Sequence, residues 1–135
     1  MTGFRLSDAA NLAIHALVYL AGQQASDPVP TGQVARHFDV SEAHLSKVLQ
    51  RLARTGLVRS VRGPGGGFVL AAKPADITLL SIYQAIDGAL TRPGRCLLGR
   101  RRCELKKCVF GDLADQIHRQ VREYFARTTL ADLSE

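Results

Sequence analysis

No stretch of this 135-residue chain approaches the roughly 20 consecutive apolar residues that a bilayer-spanning helix needs. The opening residues also lack a secretory pattern, because Ser7, Asp8 and Asn11 interrupt the apolar region early. Internal repeats and low-complexity tracts are missing. So is recognisable catalytic machinery. The glycines do not form a strand-to-helix phosphate loop, and no nucleophile sits in a known turn beside an oxyanion hole. An enzyme using a cysteine with His15, His44 or His118 as base has nothing further to support it. Cysteine is scarce, with three residues, all between positions 96 and 108. The expectation is a cytoplasmic, non-enzymatic protein with no membrane partner, in which thiols serve metals or redox chemistry rather than structural disulfides.

Negative charge is also in short supply. Twelve Asp and Glu face 18 Lys and Arg, giving a net charge of +6. The excess is concentrated in two zones. Residues 31–73 hold seven Lys or Arg against Asp39 and Glu42, and residues 92–107 hold seven against Glu104. Such zones suit a polyanion, and the plain alternative is a solvated basic face.

What is present reads as one domain, 46% apolar and long enough to build a core. Ser7 or Asp8 caps a first helix running to about Gly22, apolar on most sides and therefore expected between other elements. His15 is a polar island in it, read from the residues alone as a core or interface histidine. Gln23 to Pro30 forms a turn. Thr31 caps a short helix with Val34, Ala35 and Phe38 on one face, and Asp39 and Val40 turn the chain. Ser41 caps the next helix, with Leu45, Val48, Leu49 and Leu52 as one buried stripe and Gly56 as its stop. Two strand patterns, Leu57–Arg62 and Phe68–Leu70, flank the glycine-rich tip Gly63–Gly67.

A helix–turn–helix followed at once by a hairpin is the order of a winged helix, with its second helix in the major groove and its wing on the backbone or minor groove. The fold class is therefore mainly α with a small β-hairpin wing, followed by a long C-terminal dimerisation helix. The winged-helix region spans 1–88, a cysteine sensor loop 89–108 and the dimerisation helix 109–131, all within a single 1–135 regulator domain. Thr78 caps a helix that Gly88 stops. The last helix is expected from near Val109 to about Thr129. Phe110, Leu113, Ile117, Val121, Tyr124 and Thr128 form a seam along it for a homodimer, or, alternatively, for packing within the subunit.

Only the N-terminal end of a groove-reading helix reaches base edges. Here that end offers Ser41, Ala43, His44, Ser46 and Lys47. Lys47 can bond guanine acceptors, Ser or His can donate or accept, and Ala43 suits a thymine methyl. Arg51, Arg54 and Arg59 suit phosphates. Arg62 suits a narrow minor groove, and Gly65 and Gly66 permit backbone to approach the sugar–phosphate rail. The partner implied is a double-stranded DNA operator.

The other concentration of chemistry is the run Cys96 to Cys108. Cys96, Cys103 and Cys108 can give three thiolates to one metal centre. Structural zinc prefers close Cys-x(2–4)-Cys pairs, and only the second interval has that length. Iron–sulfur clusters accept wider spacings. The surrounding Arg and Lys lower thiol pKa values and offset an anionic cluster. Redox-active thiols without a metal remain an alternative, as does a structural module that binds protein through the basic loop.

Asn11–Ala21 (NLAIHALVYLA), Val40–Leu52 (VSEAHLSKVLQRL), Leu79–Gly88 and Thr128–Leu133 resemble the Rrf-type family of bacterial winged-helix regulators, which includes the IscR- and NsrR-like iron–sulfur repressors. The most specific match is Gly56–Leu70, GLVRSVRGPGGGFVL. The resemblance implies a repressor that pairs through its last helix on an inverted-repeat operator. It places base reading on Ala43, Ser46 and Lys47, with Arg62 as the wing arginine. It also implies an iron–sulfur cluster on the three cysteines, 2Fe–2S in preference to 4Fe–4S, sensing iron–sulfur, redox or nitric oxide status. The clusterless alternative is a thiol-based or partner-controlled regulator. Relatives often space their cysteines by five and five, whereas here the intervals are six and four. Where some carry a histidine ligand, this chain has Gly111. The resemblance therefore points to a fourth ligand from the partner subunit's first helix: His15 or Asp8, with Asn11 a poor donor and His118 less favoured.

Overall fold

The computed structural model describes residues 5–23, 26–90 and 106–134. Three hydroxyl caps start three of its helices. Ser7 accepts from the Ala10 amide at 3.0 Å to open α1 (Asp8–Ala21). Ser41 accepts from His44 at 3.3 Å to open α3 (Glu42–Arg54). Thr78 accepts from Ser81 at 3.1 Å to open α4 (Leu79–Asp87). Each satisfies an amide that the helix itself leaves unpaired. Between α1 and α3 lies α2 (Thr31–Phe38), where the expectation is corrected: Pro30 is the cap and Thr31 is already helical. Proline's fixed φ and extended ψ bring the chain in without a side-chain bond.

Helices α2 and α3 end by the same device. The Val40 amide reaches back to Ala35 O at 3.0 Å, and the Leu57 amide to Leu52 O at 3.1 Å. Each closure requires a left-handed residue, supplied by Asp39 (φ 53°) and by Gly56 (φ 80°).

Helix α1 is the hub. Ala10, Ala13, Ala16 and Leu17 are fully buried along it, and it packs against α3, α4, the hairpin and the C-terminal helix. Three alanines on the buried side let neighbouring helices approach closely, so a helix apolar on most sides ends up sandwiched as expected. Helix α3 contributes Leu45, Val48, Leu49 and Leu52, and α4 contributes Ile82 and Ile86.

The wing is the antiparallel pair β1 (Val58–Val61) and β2 (Gly67–Leu70), with Val58 opposite Leu70 and Val61 opposite Gly67. Val29, read as part of a turn, adds a bridge to Phe68 through two 3.0 Å backbone bonds. A side chain on Gly67 would meet the Val29 carbonyl oxygen at 2.1 Å, so this close pairing needs glycine.

After the described part of the cysteine loop comes α5 (Leu113–Arg127), then α6 (Leu130–Leu133). The chain returns to the winged helix at their junction. Leu79 donates to Thr128 O at 3.0 Å and Leu130 to Ile77 O at 2.9 Å, with Leu130 fully buried. Helix α5 begins four residues later than expected. Gly111, at φ 58°, closes a turn on Cys108 O at 3.0 Å, and helical geometry starts only beyond it. Fifteen residues give α5 a length of about 22 Å, shorter than a helix from Val109 to Thr129 would be.

The seam on α5 divides. Thr128 is buried and Val121 packs on the core. Phe110, Leu113, Ile117 and Tyr124 are 44–47% exposed. No helix among the described residues is long and apolar enough to cross a membrane.

Leu52→Ala should lower folding stability by about 2–5 kcal/mol, a large part of the roughly 5–15 kcal/mol typical of a domain. Urea unfolding followed by circular dichroism checks this, and an unchanged midpoint would contradict the packing described.

Candidate nucleic-acid interface

The buried stripe of α3 decides what the helix shows to the outside. With Leu45, Val48, Leu49 and Leu52 turned inward, the 3.6-residue period leaves Ser41, Ala43, His44, Lys47, Gln50, Arg51 and Arg54 exposed, with Ser46 half-buried. Glu42, the acidic residue of this helix, sits over α2. Its Oε2 lies 3.3 Å from where a Gly32 side chain would begin, and Arg36 Nη1 lies 3.4 Å from the same point. Both side chains thus lie close to the α2 backbone at Gly32. The first two turns of α3 present hydroxyl, imidazole, methyl and ammonium groups, with the helix N-terminus adding a positive field attractive to phosphate.

Two details refine the site. Gln50 Nε2 donates to Ser46 Oγ at 3.3 Å, which steers the serine hydroxyl and leaves its own hydrogen free to donate. Arg51 does not simply point into solvent: its Nη2 donates to the carbonyl of Ile86 at the end of α4. That bond was not legible from spacing, because periodicity assigns a face and not the destination of a long side chain.

In the wing, Arg59 and Arg62 are exposed, as is Gly65, while Gly66 is half-buried. Gly66 donates to Gly63 O at 2.9 Å, and a side chain there would collide with Val61 O at 2.3 Å. The tip is four glycines and Pro64 preceded by Arg62, an arrangement that lets a turn approach a sugar–phosphate strand closely.

A winged helix–turn–helix with a polar, cationic recognition face is the scaffold of a DNA-reading protein. The chain matches the Rrf2 family, described as iron-dependent transcriptional regulator, over residues 6–135. It belongs to that family. The HTH-type transcriptional regulator IscR of Photorhabdus laumondii is 31% identical over 118 residues, covering 84% of this chain and 71% of that protein. Among solved structures, CymR, the global cysteine regulator of B. subtilis, is similar with a TM-score of 0.81 at 27% identity, covering 97% of this chain and 96% of that one. IscR of T. potens is similar with a TM-score of 0.73 at 25% identity, covering 97% and 86%. The protein is thus a DNA-binding transcriptional regulator of the Rrf2 family and not an enzyme.

The remaining candidate residues are those expected to hold a metal. Cys96 and Cys103 lie outside the described residues. Cys108 is exposed, with a free thiol, five positions before α5. Among the described residues, no three His, Cys, Asp or Glu side chains gather as a metal site. Asp8, Asn11 and His15 share an exposed groove with Leu12, Phe38, Val40 and His44. The groove brings the fourth-ligand candidates together with His44 of the recognition helix, a juxtaposition the sequence did not reveal. His15 Nδ1 lies 2.7 Å from the Asn11 carbonyl. A carbonyl only accepts, so Nδ1 carries the hydrogen, and in the neutral imidazole the lone pair is then on Nε2. His118, half-buried on α5, lines no part of that groove.

Lys47→Ala should cost about 1–3 kcal/mol of operator binding and relax preference at one base position. Arg59→Ala should weaken all sequences alike and reduce the salt slope by about one. Binding titrations across salt and operator variants separate the two, and a uniform loss for Lys47→Ala would move that residue to the phosphate class.

Proposed function

We propose that this Rrf2 regulator binds an inverted-repeat operator as a homodimer and represses from it under control of a cluster held by Cys96, Cys103 and Cys108. A 2Fe–2S group is favoured over 4Fe–4S, and its presence or oxidation level would report iron–sulfur, redox or nitric oxide status. The observation that carries the reading is the hydrogen bond from His15 Nδ1 to Asn11 O. An imidazole whose Nδ1–H is tied to a carbonyl has the tautomer and ring orientation of a metal ligand. The donor set also fits: three thiols within 13 residues, an exposed and free Cys108, and Lys106 and Lys107 beside it to offset the charge of an anionic cluster. When bound, the group would supply redox and nitric oxide reactivity that thiols alone lack. His15 of the partner subunit would complete the ligand set, with Asp8 of the partner subunit as the second candidate.

On the DNA side, Ala43, Ser46 and Lys47 read bases, with Ser41 and His44 beside them. Arg59 and Arg62, with Gly65 and Gly66, follow the backbone and minor groove. The half-exposed row Phe110, Leu113, Ile117 and Tyr124 supports pairing through α5. A second reading, a thiol-based or partner-controlled regulator without a cluster, draws on the exposed, free thiol of Cys108.

Protein purified without oxygen should be coloured and contain iron with acid-labile sulfide. Cys103→Ala should lose both and shift operator affinity by about 5–150-fold, the usual span of allosteric coupling. Colourless, iron-free wild type would favour the thiol reading, and operator binding indifferent to Cys103→Ala would remove the sensor reading. Separately, Ile117→Asp should convert dimer to monomer in sedimentation and weaken operator binding at least tenfold, because both half-sites are no longer held together. A dimer that survives the substitution would rule out this face.

A further inference from the structure

The end of α4 is where three parts of the chain meet. Arg51 of the recognition helix donates from Nη2 to the carbonyl of Ile86. The next residue, Asp87, receives the Ser7 amide at 3.2 Å and the Ser7 hydroxyl at 2.5 Å, at the very cap that starts α1. Gly88 then turns the chain at φ 81°, and Leu90, 7% exposed, is anchored in the core. Leu90 already belongs to the cysteine loop, 89–108. Five consecutive residues therefore hold the recognition helix, the hub helix and the root of the loop.

The bond is more than a surface contact. The last carbonyls of a helix have no partner within it, and a guanidinium there satisfies one while meeting the negative end of the helix dipole. Tyr83, one turn back, is buried and reaches the Arg5 carbonyl at 3.2 Å. Burial and the neighbouring Asp87 carboxylate both push its pKa up, keeping it a neutral donor. The junction is tied from several sides, and Arg51 is its link to the DNA-facing helix.

We infer that Arg51 is a positioning residue that couples the root of the cysteine loop to the recognition helix through Ile86–Leu90, rather than serving only as a phosphate contact. The inference rests on reading 89–108 as the regulated loop. Displacement of the loop root moves the Ile86 carbonyl, and the guanidinium carries that movement to the middle of α3. Coupling between sites is reciprocal, so operator binding must in turn steady the root.

Reciprocity gives a test that needs no cluster. Amide hydrogen exchange of residues 84–90 is measured on the full-length homodimer, free and saturated with operator DNA. Wild type should show exchange slowed about tenfold by DNA. Arg51→Met, brought to the same saturation, should lose that protection while keeping its melting temperature. Arg54→Met, which removes another arginine suited to phosphate from α3 and is likewise brought to the same saturation, should keep it. Absence of protection in wild type overturns the inference even if Arg51→Met proves unstable. Equal protection in wild type and Arg51→Met, with only a salt slope smaller by about one in the variant, overturns it too and returns Arg51 to the phosphate class. Failure of the sensor reading is seen separately, as operator affinity indifferent to Cys103→Ala.

Discussion

The burial of Leu45, Val48, Leu49 and Leu52 is the constraint on which the DNA-facing chemistry depends. All four are 0–2% exposed, packed against α1, α2, α4 and β1. A helix has one rotational freedom about its axis, and four deeply buried side chains on one stripe remove it. Nothing about Lys47 or His44 in isolation turns them outward. They face solvent because rotating them inward would expose four leucine-class side chains, each worth about 1.5–3 kcal/mol of burial. Recognition is in that sense a by-product of core packing, and the polar face needs little structure of its own beyond the Ser41 cap and the contact from Gln50 to Ser46.

The same core explains what was legible in the sequence. Periodicity reports burial, so the four-residue stripe of α3, the all-round apolar α1 and the α4 helix could be read directly, together with caps at Ser7, Ser41 and Thr78. The Gly63–Gly67 run announced the wing because only glycine tolerates the 2.1–2.3 Å approaches that a side chain would make to Val29 and Val61 carbonyls. The features missed depend on distant partners. Val29 pairs with a strand 39 positions further on, and one valine among prolines carries no sign of it. The Thr128–Leu130 return to Ile77–Leu79 is likewise a through-space event. The late start of α5 follows from a positive φ at Gly111, where hydrophobic spacing runs on regardless.

The candidate site was legible in the same uneven way. The outward face of α3 was legible because exposure follows from the stripe, and Arg59, Arg62 and Gly65 of the wing are exposed as well. Arg51 was assigned a face and hence a phosphate, but a guanidinium on a long stem can reach past its own helix, and it found a carbonyl 35 positions away. His15 was a polar island with two readings. The bond to Asn11 is a local i to i−4 contact, which settles the tautomer without settling the ligand, and the groove shared with His44 appears only when α1 and the α2–α3 turn are seen side by side.

These placements bear on why a sensing loop would be inserted between α4 and α5. A dimer reading two half-sites about one helical turn of DNA apart must control the separation of two α3 helices. Two quantities set that separation: how each α3 sits in its own subunit, and how the subunits meet. The loop leaves from Leu90, next to the junction that holds Arg51, and returns at Cys108, just ahead of the exposed row that begins with Val109 and Phe110. It is thus joined covalently to both quantities at once. A change in how three thiols are held need not travel through the core, whose close packing resists continuous deformation. Under the proposed function it would act at the two ends of one loop, beside Leu90 and beside Cys108.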